Sequence, residues 1–322
     1  MKPPQVSVLV PVYKVENFIE RCARSLFTQT FEDLEYIFVD DGSPDRSLAR
    51  LENVVDEFPE KKDRVKILRH EHNQGIASVR NTLIGQATGE YTLFVDSDDW
   101  IEARMIEYLY RKARQEEADI VACDFFINET DREIPVHEAY TLNRELQLKN
   151  IISLKVKAYL WKLLVKRELY TANGIKFPKG IHIGEDDVVC TELYYYAQKI
   201  GFVPDTLYHY VQYNPSRYTV PSLGNIEQFL EAAMAIRRFC EQKGIFPSVE
   251  KEWQGRIFIT KNRFLMDRQL KDYRKWARIH PEANYAWRQY SFSKGQKLIY
   301  WLAERHAFGC IRLIKALGNL FS

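Results

Sequence analysis

Between residues 6 and 124 the chain alternates short apolar, β-branched runs with longer stretches of helical periodicity, and no other feature narrows its fold so far. The runs at 6–12, 36–39, 65–68, 91–95 and 119–123 have strand length, and Pro11 is expected to stop the first one's ladder pairing. Helices are expected at about 16–28, 43–58, 76–87 and 101–116, the second opened by Ser43 as cap and Pro44 in the first turn. Such alternation predicts βαβ units and a mostly parallel sheet covered by helices on both faces. Right-handed crossovers then bring Tyr13, Asp40, Asp41, His70 and Asp96 to Asp99 to one edge.

The run Tyr91 to Val95 ends in Asp96, Asp98 and Asp99, with Ser97 between the first two. A buried strand does not carry that much charge, so the acids either start a helix or hold a divalent cation at the sheet's carboxyl edge. Asp40-Asp41-Gly42-Ser43 repeats the pattern, as turn chemistry or as an acceptor for a base or ribose. Arg80 stands one turn into the helix that follows Asn73-Gln74-Gly75 and faces the same edge. Glu185-Asp186-Asp187 opens an amphipathic helix, where acids suit the helix dipole; one desolvated among the others would have the raised pKa of a general base. His209, in an extended aromatic segment, is expected half-buried, with metal ligation as the alternative. Trp161 and Lys162 read as a core aromatic and a surface charge, and Arg217 and Tyr218 as a loop able to fold over phosphates.

Composition removes several classes. With 322 residues and 46% hydrophobic content the chain can bury a large core, and 46 basic against 44 acidic residues give no footprint for nucleic acid. Five scattered cysteines lack metal-ligand spacing and read as reduced, mostly core thiols. Neither a signal peptide nor a spanning helix is expected, which points to the cytoplasm. There is no GxGxxG or P-loop lysine in the first turn. From residue 225 onward the pattern is helical, and 294–322 carries an apolar stripe of Ile299, Leu302, His306, Cys310, Leu313, Leu317 and Phe321 among basic residues. That stripe either docks on the protein or lies on the inner face of a membrane.

Six ordered segments, VSVLVPVYKVENFIERCARSLFTQT, FVDDGSPD, NQGIASVRN, YTLFVDSDDW, IGEDDVVCTELYYYA and LYHYVQYNPS, cover residues 5 to 218. Together they resemble the family 2 glycosyltransferases of bacterial capsule, exopolysaccharide and lipopolysaccharide synthesis. The resemblance implies an α/β GT-A fold over residues 1–220, with a nucleotide-binding half to about 124 and an acceptor half from 125, then a helical region over 221–322. It implies a UDP-sugar donor with Mg²⁺ or Mn²⁺, a saccharide or lipid-linked saccharide acceptor, and inversion at the anomeric carbon. By the same resemblance Pro11, Val12 and Tyr13 line the nucleotide pocket, Asp40 or Asp41 lies near the base, and Asn73, Gly75 and Arg80 border uridine and phosphates. Asp96 and Asp98 form the DxD pair, Asp98 on the metal and Asp96, with Ser97, toward the ribose, leaving Asp99 at the helix start. Asp186 becomes the catalytic base, with Glu185 beside it. The rival readings are a metal-dependent nucleotidyl- or phosphotransferase and a non-catalytic nucleotide-sugar-binding subunit of a polysaccharide assembly.

Overall fold

All seven residues of β1 (Val6–Val12) are buried, as expected of a β-branched strand with neighbours on both sides. The computed structural model describes residues 3–215, 222–267 and 269–318. It divides into two compact units, Met1–Ile151 with Lys155–Tyr218, and Ile152–Leu154 with Thr219–Ser322. Arg217, Tyr218 and Phe321 lie outside the described residues, as does the side chain of Leu317.

After β1 come α1 (Ile19–Phe27), β2 (Leu34–Asp40), α2 (Ser47–Glu57), β3 (Val65–Arg69), α3 (Ile76–Gln86), β4 (Tyr91–Phe94), β5 (Trp100–Ile101) and α4 (Met105–Glu116). They are followed by β6 (Ile120–Asn128), β7 (Glu133–Val136), α5 (Arg144–Ile152), β8 (Leu163–Lys166), α6 (Arg167–Asn173), α7 (Glu185–Tyr196) and β9 (Ile200–Val211). One sheet joins the strands in the order β3-β2-β1-β4-β8-β6-β9-β5, with β7 added to β6. Parallel pairing runs through β3, β2, β1 and β4 and recurs between β6 and β9, while β5, β7 and β8 pair antiparallel. The sheet curls: Ile101 N on its last strand donates to Ser25 Oγ at 3.3 Å, on the helix beneath its first strands.

Four local expectations change. Pro11 does not end β1, because it pairs in register with Val39 and Val12 pairs with Asp40. Leu9 O accepts from Val95 N on the β4 side, so Pro11, two residues on, turns its missing N–H to that side, where the ladder has ended. Ser43 does not cap α2. Its N–H is drawn to Asp40 Oδ1 at 3.1 Å, and α2 starts instead at Ser47, whose N–H donates to Asp45 Oδ1. Asp99 opens no helix, since Trp100–Ile101 is a strand and α4 begins at Met105. Lys162 is no surface charge: it is 2% exposed.

In the second unit, α8 (Leu223–Gln242), α9 (Phe246–Lys261), α10 (Arg263–Met266), α11 (Tyr273–Arg278), α12 (Lys294–Glu304) and α13 (Phe308–Gly318) bury Trp253 and Trp276. Lys261 closes this core by donating from Nζ to Ile279 O at 2.6 Å and His280 O at 2.8 Å. The C-terminal stripe is not one helical face. His306, at φ 56°, breaks the helix, so Ile299 and Ile311 are buried while His306, Cys310 and Leu313 are exposed.

Gly89 opens the turn into β4, and a Cβ there would stand 2.7 Å from Ser7 N and 3.0 Å from Tyr91 O, both backbone atoms of the central sheet. Gly89→Ala is expected to lower stability by about 2 kcal/mol, read as a fall in the urea midpoint at unchanged slope.

Candidate active site

The loops at the carboxyl ends of β1, β2 and β3 are tied together by two aspartates. Asp40 accepts from Ser43 N and pairs with Arg69 Nε at 3.1 Å. Asp41, 2% exposed, accepts from Gln74 N and, at 2.9 Å, from Gly75 N, and meets His70 Nδ1 at 2.7 Å. It thus fixes the 73–75 loop and the start of α3, where Gly75 takes φ 85° against His182; a Cβ there would lie 2.8 Å from the imidazole. Pro11 and Val12 are buried, Tyr13 is half-buried beside this edge with Lys14 Nζ 5.0 Å from its ring centre, and Asn73 is exposed.

Arg80 sits just past the first turn of α3, 3% exposed, with its guanidinium 5.8 Å from the Phe94 ring centre and 5.6 Å from that of Phe177. Nη2 donates to Asp96 Oδ1 at 3.2 Å, while Nη1 donates to Glu185 Oε1 at 2.8 Å and also to Asp186 Oδ1. Residues from the end of β4 and the start of α7, about ninety positions apart in the chain, therefore share one cation. Three carboxylates against one guanidinium leave two negative charges in excess if all ionise.

Burial raises both acids of α7, and to different extents. Burial and then Asp186 push Glu185 up to about 8, with Arg80 opposing. Burial pushes Asp186 up only to about 6, because Arg80 and a hydrogen bond from the Leu160 N–H pull against it while Asp96 and Asp187 add to it. At neutral pH Asp186 is thus the ionised member, and its side chain is also the more exposed, 19% against 9%. Arg80 stays charged, since its carboxylates outweigh its burial. Asp187 is buried in the first turn of α7.

The three acids after β4 separate. Asp99, 1% exposed, accepts from Val211 N and from the Tyr208 hydroxyl, both at 2.7 Å, and its pKa is raised by burial and then by Asp98 and Asp96. The same hydroxyl oxygen accepts from Asp96 N at 3.1 Å. Asp98 is half-buried and receives Asn214 Nδ2 at 2.8 Å, and Ser97 is buried. His209 is apart from this group: its ring lies between Trp100 and Phe126 at 4.5 and 4.8 Å, and its nitrogens meet Glu102 and Glu133 at 2.8 and 3.0 Å. Tyr208, Asn214 and the Leu160 N–H were missed by sequence reasoning, since no local pattern marks a residue that acts across more than twenty positions.

Among the described residues no three His, Cys, Asp or Glu side chains stand in metal-ligating geometry. An oxygen-only set of Asp98 and Asp96 with excess negative charge nonetheless suits a hard cation, which takes one or two carboxylates and completes its shell with water and substrate phosphates.

The sequence from residue 7 to 162 matches the model of Glycosyl transferase family 2. EpsJ of Bacillus subtilis, called an uncharacterized glycosyltransferase, is 35% identical over 67% of this chain and 63% of its own length. Glycosyltransferase GlyG of Streptococcus pneumoniae is 31% identical over 64% of this chain and 70% of its own. The chain thus spans about three fifths of the length of relatives such as EpsJ. The structure of S. aureus TarS residues 1–349 in complex with UDP superposes with a TM-score of 0.72 at 22% identity, over 98% of this chain and 92% of that one.

Glu185 has its pKa raised in the folded state, so folding takes up protons between the unfolded and folded values, and its contribution to stability grows as pH falls through about 8. The stability of the protein minus that of Glu185→Gln should rise by roughly 2 kcal/mol between pH 9 and pH 6 in urea titrations. A pH-independent difference would contradict this assignment.

Proposed function

The chain belongs to glycosyl transferase family 2, and on that premise we propose that it transfers a sugar from a UDP-sugar to a hydroxyl of a saccharide or lipid-linked saccharide, with inversion, in surface polysaccharide synthesis. The observation that carries this reading is the Arg80 bridge, which sets the acids at the end of β4 beside the acids that open α7. A nucleotidyl- or phosphotransferase would explain the first group but gives the second no task.

In this reading Asp186 removes the proton of the acceptor hydroxyl as that oxygen attacks the anomeric carbon. The bond from that carbon to the diphosphate breaks on the opposite face, and its electron pair leaves with UDP, so a single displacement inverts the centre. Arg80 orients Asp186 through Oδ1, leaving the other oxygen for the proton. Glu185, protonated at neutral pH, keeps the base from facing a second full charge. Asp98, with Asp96, would hold Mg²⁺ or Mn²⁺, which when bound offsets the charge on the departing diphosphate. Pro11, Val12, Tyr13, Asn73 and Gly75 surround the uridine, in loops that Asp40 and Asp41 hold in place, with Asp96 and Ser97 toward the ribose. The TarS structure with UDP supports the choice of nucleotide. His209, held by two glutamates, is given no metal in this scheme.

No described helix is long and apolar enough to cross a membrane. A peripheral contact with the inner face of the cytoplasmic membrane is proposed for the exposed side of α12 and α13, where Leu298, Trp301 and Leu313 lie among Lys294, Lys297, Arg305 and Arg312. Glu304, an acid of these helices, is turned away into Trp287 and Arg288. That surface suits anionic headgroups.

Asp186→Asn should lower UDP release from a UDP-sugar, with acceptor and Mg²⁺ present, by about 10²-fold or more while donor binding stays within about twofold. Asp98→Ala should instead weaken metal-dependent UDP binding in calorimetry, and UDP affinity insensitive to that change would remove Asp98 from the metal. Replacing Leu298 and Trp301 by Glu should release the protein from anionic vesicles without altering its binding of UDP; unchanged sedimentation with the vesicles would exclude this face.

A further inference from the structure

Asp186 is held by Arg80 on one side, and on the other stands an irregular segment, with Leu160 in it, that needs its own support. Residues 157–162 precede β8, with a single 3-10 turn at Leu160–Lys162. Glu138 grips this segment at both ends: Oε1 accepts from Lys157 N at 2.8 Å, and Oε2 meets the Lys162 ammonium. Leu160 lies between the two grips. Glu138 is itself fixed to the sheet, because its N–H donates to Asp124 Oδ1 at 3.2 Å, and Asp124 sits, 3% exposed, at the irregularity in the β6–β9 register.

Lys162 is 2% exposed, and its ammonium stands 5.8 Å from the ring centres of both Phe125 and Tyr159. A buried pair of this kind is a poor device for stability, since well-packed apolar residues commonly serve as well. It is a good device for register, because the charge has one place to go. The segment is tied to α7 one turn beyond the base, where the Cys190 thiol donates to Ala158 O at 3.5 Å.

We propose that Glu138 and Lys162 form a clasp whose task is positional: it holds residues 157–162 against the first turns of α7, so that Asp186 keeps its orientation as an acceptor hydroxyl approaches. Neither residue touches substrate; both act through the 157–162 segment. The inference rests on Asp186 being the base and adds to that reading the part of the chain that aims it.

Steady-state kinetics of the full chain with a UDP-sugar and acceptor test it, using Glu138→Gln and Lys162→Met, with circular dichroism confirming that each is folded. The clasp predicts that kcat falls about 10- to 100-fold in each while KM for the donor stays within about twofold, since misplacing a reacting group by an ångström is enough for such a loss. Folded variants with kcat near that of the parent overturn the proposal, as does a loss seen equally in donor KM, which would mark a general loosening. If a lone buried charge prevents folding, Glu138→Asp, which keeps the charge on a shorter arm, is measured by the same two constants. Asp186→Asn run alongside separates the two claims. An inactive Asp186→Asn with fully active clasp variants removes the clasp alone, whereas an active Asp186→Asn removes the base assignment itself.

Discussion

One guanidinium surrounded by three carboxylates is the interaction on which the rest of the first unit depends. Arg80 is buried between Phe94 and Phe177, so its charge is tolerable only because Asp96, Glu185 and Asp186 meet it, and theirs only because it meets them. The four groups arrive on three elements, α3, the end of β4 and the start of α7. The packing of those elements and the electrostatics of the cluster therefore constrain each other. The cluster's remaining negative charge is what the proposed cation would offset.

Around this centre the aspartates of the sheet edge serve different ends although they look alike in the sequence. Asp41 is spent on the backbone of the 73–75 loop, Asp40 on Ser43 and Arg69, and Asp99 on Val211 and Tyr208. Asp96, Asp98 and Asp186 retain some exposure. Burial sorts the aspartates that shape loops from those left open to solvent.

How much of this could be read beforehand follows from the range of the interactions. The strands β1 to β4, the helices between them and the α7 start were legible, because apolar periodicity and first-turn acids are local signals. The stretch 125–178 was not. Its β7 and β8 are four residues each, antiparallel, and stabilised by neighbours distant in the chain. Ser43-Pro44 misled because Ser43 Oγ, the atom that would cap a helix, accepts from Lys14 N at 3.3 Å while its N–H turns back to Asp40. Lys162 misled because a lysine's burial depends on a glutamate twenty-four residues away. Of the site, the acids were visible as types, while the division between Glu185 and Asp186 needed the Leu160 N–H and the depth of burial.

The Tyr208 hydroxyl, which bonds both Asp96 and Asp99, has a further consequence for how the molecule comes into being. Until residues 208–211 have left the ribosome, Asp99 has neither of these partners and no reason to leave water. The apolar strands β1 to β4 can associate early, but the segment that follows them waits for more than a hundred residues of further synthesis. A nascent chain would thus carry a formed core with an unformed centre. The arrangement of Asp96 to Asp99 is thus acquired late in the maturation of the first unit, and a chain arrested before β9 would be folded in part with these acids unplaced.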